Sequence, residues 1–93
     1  MNWLFTNPPN VAVITTKRVM DKELPILHVS HDGDDGMWQF HDGNEVNEEE
    51  GSVISFREII EIDPGIMELF DLPEGWIAFR NSIDDEWIRI ERE

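Results

Sequence analysis

The stretch Ser55-Phe56-Arg57-Glu58-Ile59-Ile60-Glu61-Ile62-Asp63-Pro64-Gly65-Ile66-Met67-Glu68-Leu69-Phe70 decides the fold class. Ser55 and Glu58 have the spacing of a capping box. The Ser55 hydroxyl accepts from the Glu58 backbone N–H, and the Glu58 carboxylate reaches back to the Ser55 N–H. Ile54 and Ile59 stand where a hydrophobic staple places its two apolar residues. The helix so started runs to about Ile62, with Phe56, Ile59 and Ile60 turned inward. Asp63-Pro64 then stops it and starts a second short helix. Asp63 suits an N-cap, and Pro64 suits the first helical position because its missing N–H would have no partner there. Ile66, Met67, Leu69 and Phe70 supply the apolar face of that second helix.

Strand signals flank this helical pair. Val11-Ala12-Val13-Ile14-Thr15-Thr16 is uncharged and β-branched, and reads as a central strand covered on both faces. Lys17-Arg18-Val19-Met20-Asp21-Lys22 is either one helical turn capped by Thr16 or a loop. Ile26-Leu27-His28-Val29-Ser30-His31 and Met37-Trp38-Gln39-Phe40-His41 form a second and third strand. Asp32-Gly33-Asp34-Asp35-Gly36 joins them as a tight connection. The period of two puts Trp38 and Phe40 on one face. Asp42-Gly43 turns the chain into an acidic loop over residues 44–51, and Ser52-Val53-Ile54 leads into the helix.

Downstream, Leu72-Pro73-Glu74-Gly75 reads as a turn with Pro second and Gly fourth. Trp76-Ile77-Ala78-Phe79-Arg80 and Trp87-Ile88-Arg89-Ile90-Glu91 are strands that pair as a hairpin. In the last strand Ile88 and Ile90 share one face, opposite Trp87, Arg89 and Glu91. The pattern predicts an α+β fold: a mostly antiparallel sheet of about five strands, covered on one side, with two short consecutive helices between strands three and four. Residues 1–93 are expected to form a single domain. Asn7-Pro8-Pro9-Asn10 breaks regular structure and sets off an N-terminal arm over residues 1–10, carrying Trp3 and Phe5, which either packs on the body or stays loose.

The chain has 93 residues, 21 acidic against seven basic, for a formal charge of −14. At 40% hydrophobic residues, with four Trp and five Phe, it is too apolar for a disordered acidic tail. The charge argues against nucleic acid and against anionic membranes, both of which repel it. It favours a basic protein partner, although solubility alone is the plainer use of such charge. There is no cysteine, which excludes disulfides and thiolate metal sites. No apolar run approaches a membrane span and no signal peptide is legible, so a cytoplasmic location is expected. Nothing in the sequence speaks to oligomeric state.

No catalytic or metal constellation stands out. In an EF-hand register starting at Asp32, the fifth and sixth positions are Gly36 and Met37; starting at Asp42, the fifth is Val46. Both registers fail the ligand pattern, which leaves an irregular site across Asp32, Asp34 and Asp35 as the alternative to a plain solvated turn. His28 and His31 fall on opposite faces of a strand, whereas His31 and His41 can approach across the hairpin and, with Asp42, would make a zinc site conceivable. Ordinary surface histidines are the simpler account. Ser30 next to His31 points away from it, so no nucleophile–base pair forms there. The expectation is therefore no catalytic residues, no metal and no cofactor. The candidate partner-binding residues are the acids Asp32, Asp34, Asp35, Glu48, Glu49, Glu50, Asp84, Asp85 and Glu86. Trp87 joins them as the tryptophan expected to stay exposed and to serve as an aromatic anchor.

Three segments resemble a bacterial family of small proteins. They are Val11-Ala12-Val13-Ile14-Thr15-Thr16-Lys17, the aromatic hairpin Asp35-Gly36-Met37-Trp38-Gln39-Phe40-His41-Asp42-Gly43-Asn44-Glu45, and the helical pair Ile59-Ile60-Glu61-Ile62-Asp63-Pro64-Gly65-Ile66. The family is the toxin-immunity proteins of family 33, formerly domain of unknown function 2185. The resemblance covers about residues 11–80; the ending with Gly75-Trp76 and Trp87 departs from it. It implies that the chain binds and neutralises a toxin domain inside the producing cell, and it carries over no binding residue. An accessory or regulatory domain with an unknown ligand is a second reading, and a small hydrolase or metal-dependent enzyme a third. A toxin-like neighbouring gene would favour the first, frequent fusion to enzymes the second, and a bound metal the third.

Overall fold

The computed structural model describes residues 3, 5, 7–44 and 51–92. Among them the chain forms β1 (Ala12–Thr16), α1 (Lys17–Met20), β2 (His28–His31), β3 (Trp38–His41), β4 (Gly51–Ser55), α2 (Phe56–Ile62), a 3-10 helix (Pro64–Leu69), β5 (Trp76–Phe79) and β6 (Ile88–Glu91). The strands make one mixed sheet in the order β4-β1-β3-β2-β5-β6. The β1–β3 pair is parallel, and every other pair is antiparallel.

The fold is α+β and mostly antiparallel, as the sequence predicts, but it has six strands rather than about five. The additional one is β4. Its five residues pair with β1 from Ala12↔Ser55 to Thr16↔Gly51. Because β4 precedes the helices, they lie between strands four and five, not between three and four. Ser55 ends the strand and caps the helix at once, with an extended backbone (φ −77°, ψ 154°) that serves both roles. The cap signal therefore hid the strand that runs into it. β1 is also not covered on both faces: it is second from an edge, and Ala12 on its far side is exposed.

The caps form as expected. The Ser55 hydroxyl accepts from the Glu58 N–H at 3.2 Å, and the Glu58 carboxylate accepts from the Ser55 N–H at 3.3 Å. Two more first-turn donors of α2, the N–H groups of Phe56 and Arg57, reach the carbonyls of Val11 and Pro9, each at 2.9 Å. So the orphan donors of the helix start are used to bind it to the first segment. Asp63 caps the 3-10 helix through the Gly65 N–H at 2.9 Å. Thr16 caps α1 through the Val19 N–H, which settles the helical-turn alternative for that stretch. The turn before β5 closes one residue later than expected. The Trp76 N–H reaches the Pro73 carbonyl, so Gly75 is the third turn residue, and its φ of +86° is one that glycine adopts without strain.

The helical excursion from β4 to β5 crosses one face of the sheet and covers it. Under it lie Val13, Val29, Trp38, Phe40, Ile54 and Ala78 from the strands, meeting Phe56, Ile59, Ile60, Ile66 and Leu69. The N-terminal arm packs into this layer. Phe5 is buried 4.4 Å from Phe56 and 5.4 Å from Trp38, ring centre to ring centre. Asn7 serves both nearby indoles: its carbonyl accepts from Trp3 at 2.6 Å, and its side-chain oxygen accepts from Trp38 at 3.1 Å. No helix among the described residues is long and apolar enough to cross a membrane.

Candidate functional site

The opposite face of the sheet carries no covering layer among the described residues. The register identifies its side chains, since directly paired residues project to the same side. His28↔His41 and Ser30↔Gln39 stand in the middle, Ile77↔Ile90 and Phe79↔Ile88 at the β5–β6 edge, and Ile14↔Val53 at the β1–β4 edge. Val53 is 68% exposed, Ile88 50% and Ile90 44%. The last strand is thus oriented opposite to expectation: its Ile row meets solvent, while Arg89 points to the helical side.

Trp87 accordingly is not the exposed tryptophan. It is half-buried against the core, with the Arg80 guanidinium 4.1 Å from its ring centre. Arg80, itself buried, donates from Nε and Nη2 to the Ile26 carbonyl at 3.1 and 2.8 Å, and from Nη2 to the Asp63 carboxylate at 2.5 Å. One guanidinium therefore joins the end of β5, the lead into β2 and the break between the helices, and Trp87 lies over it. The sequence did not single out Arg80. An Arg closing a strand beside a polar loop looks like a solvated residue, and its partners are 17 and 54 positions away.

The predicted acidic residues do not form one surface. Asp32, Asp34 and Asp35 sit at the β2–β3 hairpin, with one carboxylate oxygen from each within 4.8 Å of the others. Asp84, Asp85 and Glu86 are exposed on the loop that joins β5 to β6, at the other end of the sheet. Glu48, Glu49 and Glu50 lie outside the described residues. The histidines also separate. His41 pairs with His28 on the open face, whereas His31 stacks on Trp38 at 4.0 Å on the covered face and donates from Nδ1 to the Leu72 carbonyl at 2.8 Å. The zinc arrangement of His31, His41 and Asp42 is therefore not built.

A polar chain crosses the middle of the open face. Gln39 donates to Asp32 at 2.6 Å, and its amide oxygen lies 3.0 Å from His41 Nε2, which fixes that nitrogen as a donor. Partial burial lowers the pKa of His41, helped by its neighbour His28 and opposed by Asp42 and Asp32. Burial lowers that of His28 as well, with Arg92 adding to the effect. Both rings are thereby biased toward the neutral form at pH 7. Burial works to raise the pKa of Asp42, but the Asn44 N–H and the Arg18 guanidinium outweigh it and hold it below the ordinary carboxylate value. Arg18 Nε lies 2.8 Å from that carboxylate.

Two hollows flank the open face. One of about 510 Å³ at the hairpin end is lined by Asp32, Asp34, Gln39 and Arg92. One of about 470 Å³ at the other end is lined by Leu27, His28, Phe79 and Asn44. Among the described residues, ion pairs join Arg18 to Asp42, Arg80 to Asp63, Arg89 to Asp71 and, at a longer 3.6 Å, Arg92 to Asp32. What the molecule offers outward is predominantly carboxylate, around a sheet face whose middle is imidazole and amide and whose two edges are apolar. No family model, curated protein or solved structure matches the chain.

Proposed function

We propose that this chain is a non-enzymatic acidic binding protein that occupies the basic cleft of a toxin domain, as an immunity protein acting in the cytoplasm of the bacterium that makes it. The observation that carries this reading is the charge: −14 formally, with Arg18, Arg80 and Arg89 each paired to a carboxylate of the chain. A cleft built to hold phosphates is positive, and a rigid scaffold coated in carboxylates can fill it as a charge mimic. The likeness of the three segments to the immunity family narrows the partner to a toxin. The alternative, an accessory or regulatory domain, shares the charge but lacks that support.

The test begins with affinity capture from the native cell and identification of bound proteins by mass spectrometry. The captured protein is then purified and its association measured at increasing ionic strength. The expected partner is basic, and its association rate falls as salt rises. Neutralising Glu48, Glu49 and Glu50 together should slow association and flatten that salt dependence. A tight partner whose association ignores both salt and these substitutions would show that the acids serve solubility only.

A further inference from the structure

The open sheet face combines three features that bear on what binds there. First, Ile77↔Ile90 and Phe79↔Ile88 form two directly opposed apolar pairs on β5 and β6, at the sheet edge and facing solvent. Both Ile88 and Ile90 are about half exposed. Apolar pairs of this kind normally lie under a second layer, and here the helices lie on the other side. Second, the hollow at the hairpin end of the same face opens beside this patch and holds Asp32 and Asp34. Third, that hollow already receives a guanidinium. Arg92, which continues β6, places Nη1 3.6 Å from Asp32 Oδ1, a long contact, and its side chain is 62% exposed. A loosely held, solvated arginine indicates the chemistry the hollow accepts and is exchangeable for a cation from outside.

A second copy of the chain is a poor occupant, because each copy carries −14 and would bring its own carboxylates to the rim. We propose that the β5–β6 end of the open face is the docking surface for a basic protein segment in extended form. Its apolar side chains cover Ile77, Phe79, Ile88 and Ile90, and a neighbouring Arg or Lys enters the Asp32–Asp34 hollow in place of Arg92. This rests on the acidic-binder reading and specifies its contact surface: an apolar centre with a charged rim. It also replaces Trp87 with the Ile row as the apolar anchor.

The experiment uses the full chain, labelled with nitrogen-15, and a short synthetic peptide of alternating Arg and Val as the probe. A Glu–Val peptide and an Arg–Ser peptide of the same length serve as controls. Arg–Val should shift the amide signals of residues 77, 79, 88, 90 and 32–34, while Glu–Val shifts none and Arg–Ser binds more weakly. The double variant Ile88→Ser, Ile90→Ser removes only half-exposed side chains, so its remaining spectrum should be preserved. Its affinity for Arg–Val should fall roughly tenfold or more, as loss of a central contact does. Asp34→Asn should weaken binding and reduce its salt dependence.

Arg–Val shifts confined to residues 84–86 or the helices, or an unchanged affinity of the double variant, would overturn the docking surface and leave the acidic-binder reading standing. Equal binding of Glu–Val would overturn both. No Arg–Val binding at millimolar peptide would overturn the docking surface, while the captured-partner test still decides the function. A dimer seen in sedimentation at moderate salt, and abolished by the double variant, would assign the face to a second copy instead.

Discussion

Replacing Arg80 with Met tests whether the buried guanidinium holds the structure together. Met keeps most of the length and the apolar stem but removes five donors. The variant leaves the Ile26 carbonyl without its two side-chain donors and the Asp63 carboxylate without its counter-ion. Removing one member of a buried ion pair costs about 3–5 kcal/mol. The Asp63 side chain is 21% exposed, so its abandoned charge is partly solvated, and the expected loss lies near the lower end, about 3 kcal/mol. Losing the cation over Trp87 adds to this, although Met sulfur against the indole recovers part of it. Arg80→Lys should not rescue, because one ammonium cannot present the planar fork that reaches both Ile26 and Asp63. The assay is urea unfolding followed by tryptophan fluorescence, in a double-mutant cycle with Asp63→Asn. Asn retains the side-chain oxygen that caps Gly65, so the cycle isolates the ion pair. A loss below about 1 kcal/mol for Arg80→Met, or additivity of the two single changes, would refute the reasoning.

Three further outcomes follow from the local structure. Ser55→Ala should cost about 1 kcal/mol by removing the cap of α2, and an unchanged denaturation midpoint would mean that the neighbouring carbonyls of Pro9 and Val11 suffice. Trp87→Ala should cost about 2 kcal/mol, less than a fully buried Trp because the ring is half-covered; a change under about 0.5 kcal/mol would return it to the pool of surface anchors. The pKa values of His28 and His41 are lowered from 6.5, so the unfolded chain binds protons first as the pH falls. Their contribution is fully present above pH 6.5 and declines below it, and that of Asp42, lowered from 3.8, is lost only in stronger acid. Relative to a His28→Gln, His41→Gln variant, the wild type should therefore lose stability as the pH falls below 6.5, and parallel pH profiles would contradict this.

Local signals were legible because their physics is local. The Ser55–Glu58 box and the Asp63-Pro64 break involve atoms a few residues apart, and both stand in the structure as read. The shared face of Trp38 and Phe40 follows from the strand period alone. Alternation in the last strand likewise separates Ile88 and Ile90 from Trp87 and Arg89, but it cannot say which side the helices will cover. That depends on the route of the chain from β4 to β5, which is why Trp87 reads as the exposed tryptophan from sequence alone. The parallel β1–β3 pair has no sequence signature, since its register is set by packing between segments 25 positions apart. The dispersal of the acidic loops has the same origin: residues 32–35 and 84–86 look alike in composition, and only the strand order puts them at opposite ends.

The placement of β1 has a consequence for how the molecule assembles. β1 is the first strand in the chain, yet its two neighbours in the sheet are the third and fourth strands made. β2 and β3 can pair across a six-residue connection, whereas β5 reaches β2 only over 45–51 positions. β1 must wait until β3 exists and then close a loop of 25 positions, marked by the Thr15 hydroxyl on the Phe40 carbonyl at 2.8 Å. β4 cannot dock before β1 has. The cap on α2 and the aromatic arm both attach at this β1–β4 end of the sheet. A nascent chain emerging from synthesis would hold its first strand unpaired until β3, which ends at His41, had been made.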